Sequence, residues 1–316
     1  MPPPPTVPDV SVLHALILGI VQGATEFLPV SSTAHMRILP ALLHWEDPGA
    51  AFSAVVQLGP IAAIIAYFRH DLAKYIAGVF RSLKAGKLFP EDDTDARLGW
   101  YTILGTIPLA VAGLLLEKHV DTTFRSLNII GVCLIVLALV LLVAERISKR
   151  NTPLERLAFG PAMAVGFAQV LALVPGASRS GCTITTGLLV GLDRESAARF
   201  SFLLSIPAIT LAGLYKLYKV VHHTHLGHAA VPYLLGAIVA GVVAYVVVRW
   251  LLGYLGEENH TTTPFILYRI MLGIAILVLV QIGYVDANAG AKPLEPAAQG
   301  ASARLDIPMP THLASR

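Results

Sequence analysis

Charge is the scarcest commodity in this chain. Only 14% of its 316 residues are Asp, Glu, Lys or Arg, where a soluble domain carries about 25%. With 23 basic and 20 acidic residues the net charge is +3, too small and too dispersed to hold a polyanion, so nucleic acid is not an expected partner. Cysteine is nearly absent. Cys133 and Cys182 both sit in apolar segments and read as packing residues, not as a disulfide or a metal site. The opening MPPPPTVPDV lacks a basic n-region, so no cleavable signal peptide is expected. What fills the chain instead is apolar: 55% hydrophobic residues and a mean hydropathy of +0.68.

These residues fall in long runs. Ala50–Phe68, Trp100–Leu116, Leu127–Ala144, Phe200–Tyr215, Ala229–Val248 and Pro264–Val285 are long enough, or nearly so, to cross a hydrocarbon core, and only the last holds a charge, Arg269, near one end. Continuous apolar runs without strand-like alternation predict helices, because a helix satisfies its own backbone in lipid. Residues 1–9 read as a flexible Pro-rich lead. Residues 286–316, rich in Ala, Pro and Gly, read as a disordered tail. Between them lies a single membrane domain, 10–285. The tract His222, His223, His225 and His228 reads as a solvated loop face, since no further ligands flank it.

The domain is duplicated. Gly19, Gln22, Pro29 and Pro60 recur as Gly166, Gln169, Pro175 and Pro207, roughly 147 positions later. Gly105 and Gly131 align in the same way with Gly236 and Gly273, after a loop (Arg69–Arg97) that is longer than its counterpart (Lys216–His228). Repeat 1 spans about 10–145 and repeat 2 about 157–285. Each opens with an interrupted hydrophobic segment and continues with three spans. The pieces flanking each interruption are mostly too short to cross alone, which predicts a re-entrant helical hairpin. A hairpin leaves by the face it entered, so three further crossings invert the second half. The predicted fold is an all-α integral membrane protein, an inverted repeat whose halves each consist of a re-entrant hairpin plus three transmembrane helices, with a site where the two breaks meet. Basic residues concentrate in Arg69–Lys87 and Arg146–Arg156, while the opposite loops hold Lys118, Arg125, Lys216 and Lys219. The positive-inside rule makes the first pair of loops cytoplasmic.

The breaks carry the chemistry. The first, QGATEFLPVSSTAH, places Gln22 and Glu26 on one helix face. Ser31, Ser32 and Thr33 follow where the next helix begins, with His35 in its first turn. The second, PGASRSGCT, holds Ser178, Arg179, Ser180 and Thr183. A lone carboxylate and a lone guanidinium at membrane depth each need a counter-charge. The guanidinium fork matches phosphate oxygens, and helix N-termini favour anions. Plainer readings stand beside these: hydroxyls that merely cap helices, a structural Glu26–Arg179 ion pair, His35 as a packing residue, and Gln22 and Gln169 sharing a hydrogen-bonding role.

On these two motifs the sequence resembles the undecaprenyl-diphosphatase, or bacitracin-resistance, family. Gln22, Glu26, Pro29, Ser31, Ser32, Thr33 and His35 match its first motif, and Pro175, Gly176, Ser178, Arg179, Ser180 and Thr183 its second. The resemblance covers about Val10 to Val285. It implies a multi-pass enzyme of the bacterial inner membrane, its site open to the periplasm, that hydrolyses undecaprenyl diphosphate to undecaprenyl phosphate and phosphate. The carrier lipid of cell-wall synthesis is thereby recycled, and bacitracin, which competes for the diphosphate, is resisted. A divalent cation, Mg²⁺ or Ca²⁺, is implied, with Glu26 and Gln22 as its candidate ligands. Gln22 stands where the family commonly has Glu, leaving one carboxylate, which together with a diphosphate can hold Mg²⁺. The expected roles are Ser31, Thr33, Ser178, Arg179, Ser180 and Thr183 on the phosphates, Glu26 on metal or proton, and Ser32 as nucleophile with His35 as base or leaving-group acid. Direct attack by water is the other route. The rival from a different class is a lipid-phosphate flippase or transporter without hydrolysis.

Overall fold

The computed structural model describes residues 10–121, 126–223 and 230–288, without the side chains of 50–51, 117–121 and 219–223. The tails 1–9 and 289–316, Arg125, His225 and His228 lie outside these residues, as do the side chains of Lys118, Lys219, His222 and His223. Twelve α-helices are described: α1 (Val12–Thr25), α2 (Ser32–Leu42), α3 (Gly49–Val56), α4 (Leu58–Tyr67), α5 (Arg69–Lys84), α6 (Thr94–Asp121), α7 (Leu127–Ile147), α8 (Phe159–Ala168), α9 (Arg179–Leu189), α10 (Arg194–His223), α11 (Ala230–Gly256) and α12 (Thr263–Gln281). Five of them (α6, α7, α10, α11 and α12) are long and apolar enough to cross a membrane. Their outward faces confirm lipid as the solvent. Leu115 is 78% exposed, Leu114 68% and Val242 64%, an apolar surface that water would penalise.

Several boundaries differ from the sequence expectation. The run Ala50–Phe68 is not one helix but α3 and α4, meeting at Gln57. The segment Arg69–Arg97, expected as loop, contains α5, bent by 79° from the preceding helix. Leu72, Tyr75, Ile76, Val79, Phe80 and Leu83 recur at helical spacing, and Gly78 lets α5 lie directly against Ala96 of α6. Polar residues interrupt this amphipathic helix, so it forms no long apolar run. The counterpart loop from Lys216 is likewise helical as far as His223, the end of α10. α6 begins at Thr94, capped by Asp93, whose carboxylate accepts from Ala96 N–H and from Arg81. Those bonds, the Ala96 N–H first, hold the Asp93 carboxyl below the usual range.

The duplication is visible in the packing. Gly19 of α1 abuts Gly236 of α11, and the equivalent Gly166 of α8 abuts Gly105 of α6. Each repeat's opening helix thus packs on a long helix of the other repeat, which is consistent with two related halves. The aligned pair also meets: Gly273 of α12 lies against the Gly131 carbonyl of α7. Backbones approach this closely only where no Cβ intervenes. A Cβ at Gly19 would lie 2.6 Å from the Gly236 carbonyl oxygen. Gly19→Ala is therefore expected to lower stability by about 1–3 kcal/mol through overpacking, read as a fall in thermal unfolding temperature in detergent. Gly253→Ala, with nothing within 4 Å of the new carbon, serves as the silent control.

At the end of the bundle carrying the α7 C-terminus, Glu145 is buried. It accepts from Arg194, from Arg150 at 2.9 Å and from Thr262 Oγ1 at 2.8 Å. This network fastens α7 to the starts of α10 and α12. Arg199 of α10 reaches Asp71 of α5 at 3.0 Å and lies over the Phe68 ring. Cys133 and Cys182 are free thiols.

Candidate active site

The two breaks are built alike. After Pro29 and Pro175 the chain turns into α2 and α9, and the residues capping these helices, Ser31 and Ser178, have φ of 73° and 68°. A side chain with a β-carbon resists that half of backbone space, and such strain persists only where the surroundings enforce it, commonly at functional sites. Each serine Oγ accepts the N–H of the third helical residue, Ala34 or Gly181. Each also lies 3.2 Å from the hydroxyl two residues on, Thr33 or Ser180. The first helical residues are thereby equivalent: Ser32 in α2 and Arg179 in α9. Arg179 opens α9.

Both meet Glu26. Arg179 Nη2 donates to Glu26 Oε1 at 2.9 Å, and Ser32 Oγ donates to Glu26 Oε2 at 2.5 Å. Gln22 Nε2 donates to the same Oε2 at 2.6 Å, as the spacing of four along one helix face predicts. The pair is shielded, with the Glu26 side chain 4% and the Arg179 side chain 13% exposed. Pairing has not exhausted the donors and acceptors: Arg179 Nε and Gln22 Oε1 are buried without a partner among the described residues. The first-turn N–H groups of Ser32, Thr33, Arg179 and Ser180 precede any intrahelical acceptor, so two positive helix ends converge beside the carboxylate.

The remaining candidates divide. Ser180 Oγ donates to the Leu28 carbonyl at 2.8 Å, stitching the second break to the first. Thr183 faces away from Glu26, its hydroxyl on the Arg179 carbonyl at 2.8 Å and on Ser201 Oγ at 2.6 Å. His35 is not set against Ser32. Its Nδ1 lies 2.7 Å from the Ser31 carbonyl, which can only accept, so Nδ1 carries the hydrogen. Its Nε2 meets the Tyr268 hydroxyl at 2.6 Å, with the two rings stacked. The structure pairs Ser32 with Glu26 rather than with His35. Gln169, the repeat counterpart of Gln22, donates to the Gly105 carbonyl at 3.1 Å, a packing bond.

Two neighbours were not singled out from sequence. Tyr268 holds His35. Arg269, the charge noticed at one end of the last span, is fully buried and turned into the breaks. The available signal was that α12 carries no other charged residue.

For a cation, no group of three or more His, Cys, Asp or Glu able to hold a metal occurs among the described residues. The unpartnered Gln22 Oε1 beside Glu26 offers a partial oxygen set, of the kind Mg²⁺ completes with water and substrate phosphate.

Comparison with known proteins finds close relatives along nearly the whole membrane domain. An undecaprenyl-diphosphatase of Myxococcus xanthus (strain DK1622) is 46% identical over 285 residues, 90% of this chain and 94% of the relative. One of Chlorobium chlorochromatii (strain CaD3) is 49% identical over 284 residues, 87% of this chain and 99% of the relative. One of Thermobifida fusca (strain YX) is 44% identical over 282 residues, covering 89% and 94%. The sequence model of the bacitracin resistance protein BacA family matches residues 15–275. With both breaks inside that match, the chain belongs to the bacitracin resistance protein BacA family.

Proposed function

We propose that this protein hydrolyses undecaprenyl diphosphate to undecaprenyl phosphate and inorganic phosphate. The observation that carries the reading is the Glu26 carboxylate, gripped by Ser32 Oγ of its own break and by Arg179 of the other. It joins an acceptor for a proton, a hydroxyl poised to lose one, and a guanidinium with an unsatisfied Nε. A carrier that only bound a lipid phosphate would need the cation but not the hydroxyl–carboxylate pair.

Phosphoryl transfer needs positioning and charge neutralisation above all. Arg179 and the convergent N–H groups of α2 and α9 hold the terminal phosphoryl oxygens, with the Ser178–Ser180 pair fixing the second break around them. Glu26 takes the Ser32 proton as Ser32 Oγ attacks the terminal phosphorus. The bridging P–O bond breaks and its electron pair leaves with undecaprenyl phosphate. The departing undecaprenyl phosphate takes that proton from Glu26, which, a carboxylate again, deprotonates the water that attacks the phosphoserine; the P–Oγ bond breaks, Glu26 returns the proton to Ser32 Oγ, and phosphate is released. Mg²⁺ or Ca²⁺, when bound, would be held by Glu26, Gln22 and the diphosphate and would supply further charge neutralisation. His35 and Tyr268 act on the frame, fixing the Ser31 carbonyl at the strained cap. The prenyl chain lies among the apolar helix faces. The basic loops around α5 and after α7 support a cytoplasmic-membrane orientation in which the mouth of the first hairpin faces the periplasm.

The test is phosphate release by purified protein in detergent, from C15 and C55 prenyl diphosphates. Release is expected without any gradient or second compartment, which no flippase mechanism provides; its absence overturns the reading. A chelator is expected to lower the rate more than tenfold, with recovery on adding Mg²⁺ or Ca²⁺. An unchanged rate removes the cation.

A further inference from the structure

Arg269 is the largest fully buried side chain among the described residues, and it has no carboxylate. Its guanidinium is held by main-chain oxygens: Ala177 at 3.0 Å, Gly176 at 3.1 Å, Pro29 at 3.4 Å and Cys133 at 3.5 Å. Three of these four carbonyls belong to the two breaks. Its Nε has no partner among the described residues. A Cβ on Gly181, in the first turn of α9, would come within 2.6 Å of Arg269 Nη1, so the guanidinium occupies the space a side chain there would need. Gly176, with φ of +93°, brings the second break against the Ile130 carbonyl of α7, beside the same group.

A structural role alone accounts poorly for this choice. Burying a guanidinium against neutral carbonyls carries a desolvation cost that an apolar residue on α12 would avoid. Two consequences follow from its presence. Turning the Ala177 carbonyl toward Arg269 turns the Ser178 N–H the opposite way, because the two are antiparallel in a trans peptide. The charge count also changes. Glu26 and Arg179 cancel, so Arg269 leaves the site with a net positive charge in a medium of low dielectric, where it acts over a longer range than in water.

We propose that Arg269 is a positioning residue of the phosphatase site. It pins both breaks by their carbonyl oxygens, and it supplies the uncompensated positive charge that draws a diphosphate to the Glu26–Arg179 pair. The inference rests on the hydrolase reading. The two functions separate by substitution: Arg269→Lys keeps the charge and loses the fork, whereas Arg269→Met loses both.

The experiment measures kcat and KM for phosphate release from a C15 diphosphate in detergent, on monodisperse preparations. It is accompanied by binding of a non-hydrolysable prenyl methylenediphosphonate. Arg269→Lys is expected to hold KM and analogue affinity within about threefold of wild type while kcat falls at least tenfold. Arg269→Met is expected to lose the same kcat and, in addition, at least tenfold in KM and in analogue affinity. A purely structural residue would lower the folded fraction in both variants and leave the KM of what remains unchanged; that result overturns the proposal. Equal KM for the two variants overturns the charge role, and an unchanged kcat in Arg269→Lys overturns the pinning role. If wild-type protein releases no phosphate, the hydrolase reading fails instead. Analogue binding that still separates Lys from Met then supports the charge role alone, and equal binding ends it.

Discussion

Glu26→Gln is expected to slow phosphate release by about 10²–10⁴-fold, the range that loss of a positioned proton acceptor produces. Glutamine preserves shape and can still hydrogen-bond Ser32 and Arg179, but it cannot take the proton that Ser32 Oγ presents at 2.5 Å. It also leaves the Arg179 guanidinium, whose side chain is only 13% exposed, without its counter-charge. Removing one partner of a buried pair costs about 3–5 kcal/mol, much of it because the other charge is left buried and uncompensated. Glu26→Gln should therefore unfold at a lower temperature than wild type. The double variant Glu26→Gln, Arg179→Met should recover most of that stability and none of the turnover. Thermal unfolding and phosphate release on the same preparations check both halves. If the double variant regains activity along with stability, Glu26 is structural.

Arg179→Ala is expected to cost about 10²–10³-fold in kcat, the scale of losing a preorganised donor to a developing oxyanion. Arg179→Lys should recover little of this. The fork places Nη2 on Glu26 while Nε stays unpartnered, so one planar group can face carboxylate and phosphate together, whereas an ammonium is a single point charge. Added guanidinium ion is expected to restore part of the activity of Arg179→Ala and none of that of Glu26→Gln. Equal activity of the Lys and wild-type enzymes would show that only charge, not the fork, matters at this position.

The architecture was legible because its cause is coarse. Long uncharged runs can only be helices in lipid, and the recurring Gly and Pro landmarks mark the duplication wherever backbones touch or turn. Gly19 and Gly105 were aligned as landmarks; that each packs on the other repeat, against Gly236 and Gly166, is a property of assembly that no single run encodes. The amphipathic α5 was missed because its polar face breaks the hydropathy signal that revealed the spans. At the candidate site, Glu26, Ser32 and Arg179 stand out in the sequence because buried charge is costly without a partner, and the structure brings the three together. Their neighbours were less legible. His35, expected as base or leaving-group acid, has both ring nitrogens taken, by the Ser31 carbonyl at the strained cap and by the Tyr268 hydroxyl on a remote helix. Thr183 shares the motif of Arg179, yet its place in the helix turns it toward Ser201. Arg269 was visible as a charge but not as a member of the site, because its ligands are main-chain oxygens, which no side-chain pattern announces.

The central claim is that Glu26 of one half and Arg179 of the other work as a single unit on one phosphate. A double-mutant cycle on kcat/KM for prenyl diphosphate hydrolysis, with Glu26→Gln and Arg179→Met alone and together, tests it most directly. Groups that act as a unit are strongly non-additive, so the double variant is expected to be no slower than the slower single variant. Losses that multiply, the double variant being slower by the product of the two single effects, would place the two residues in separate tasks and contradict the account.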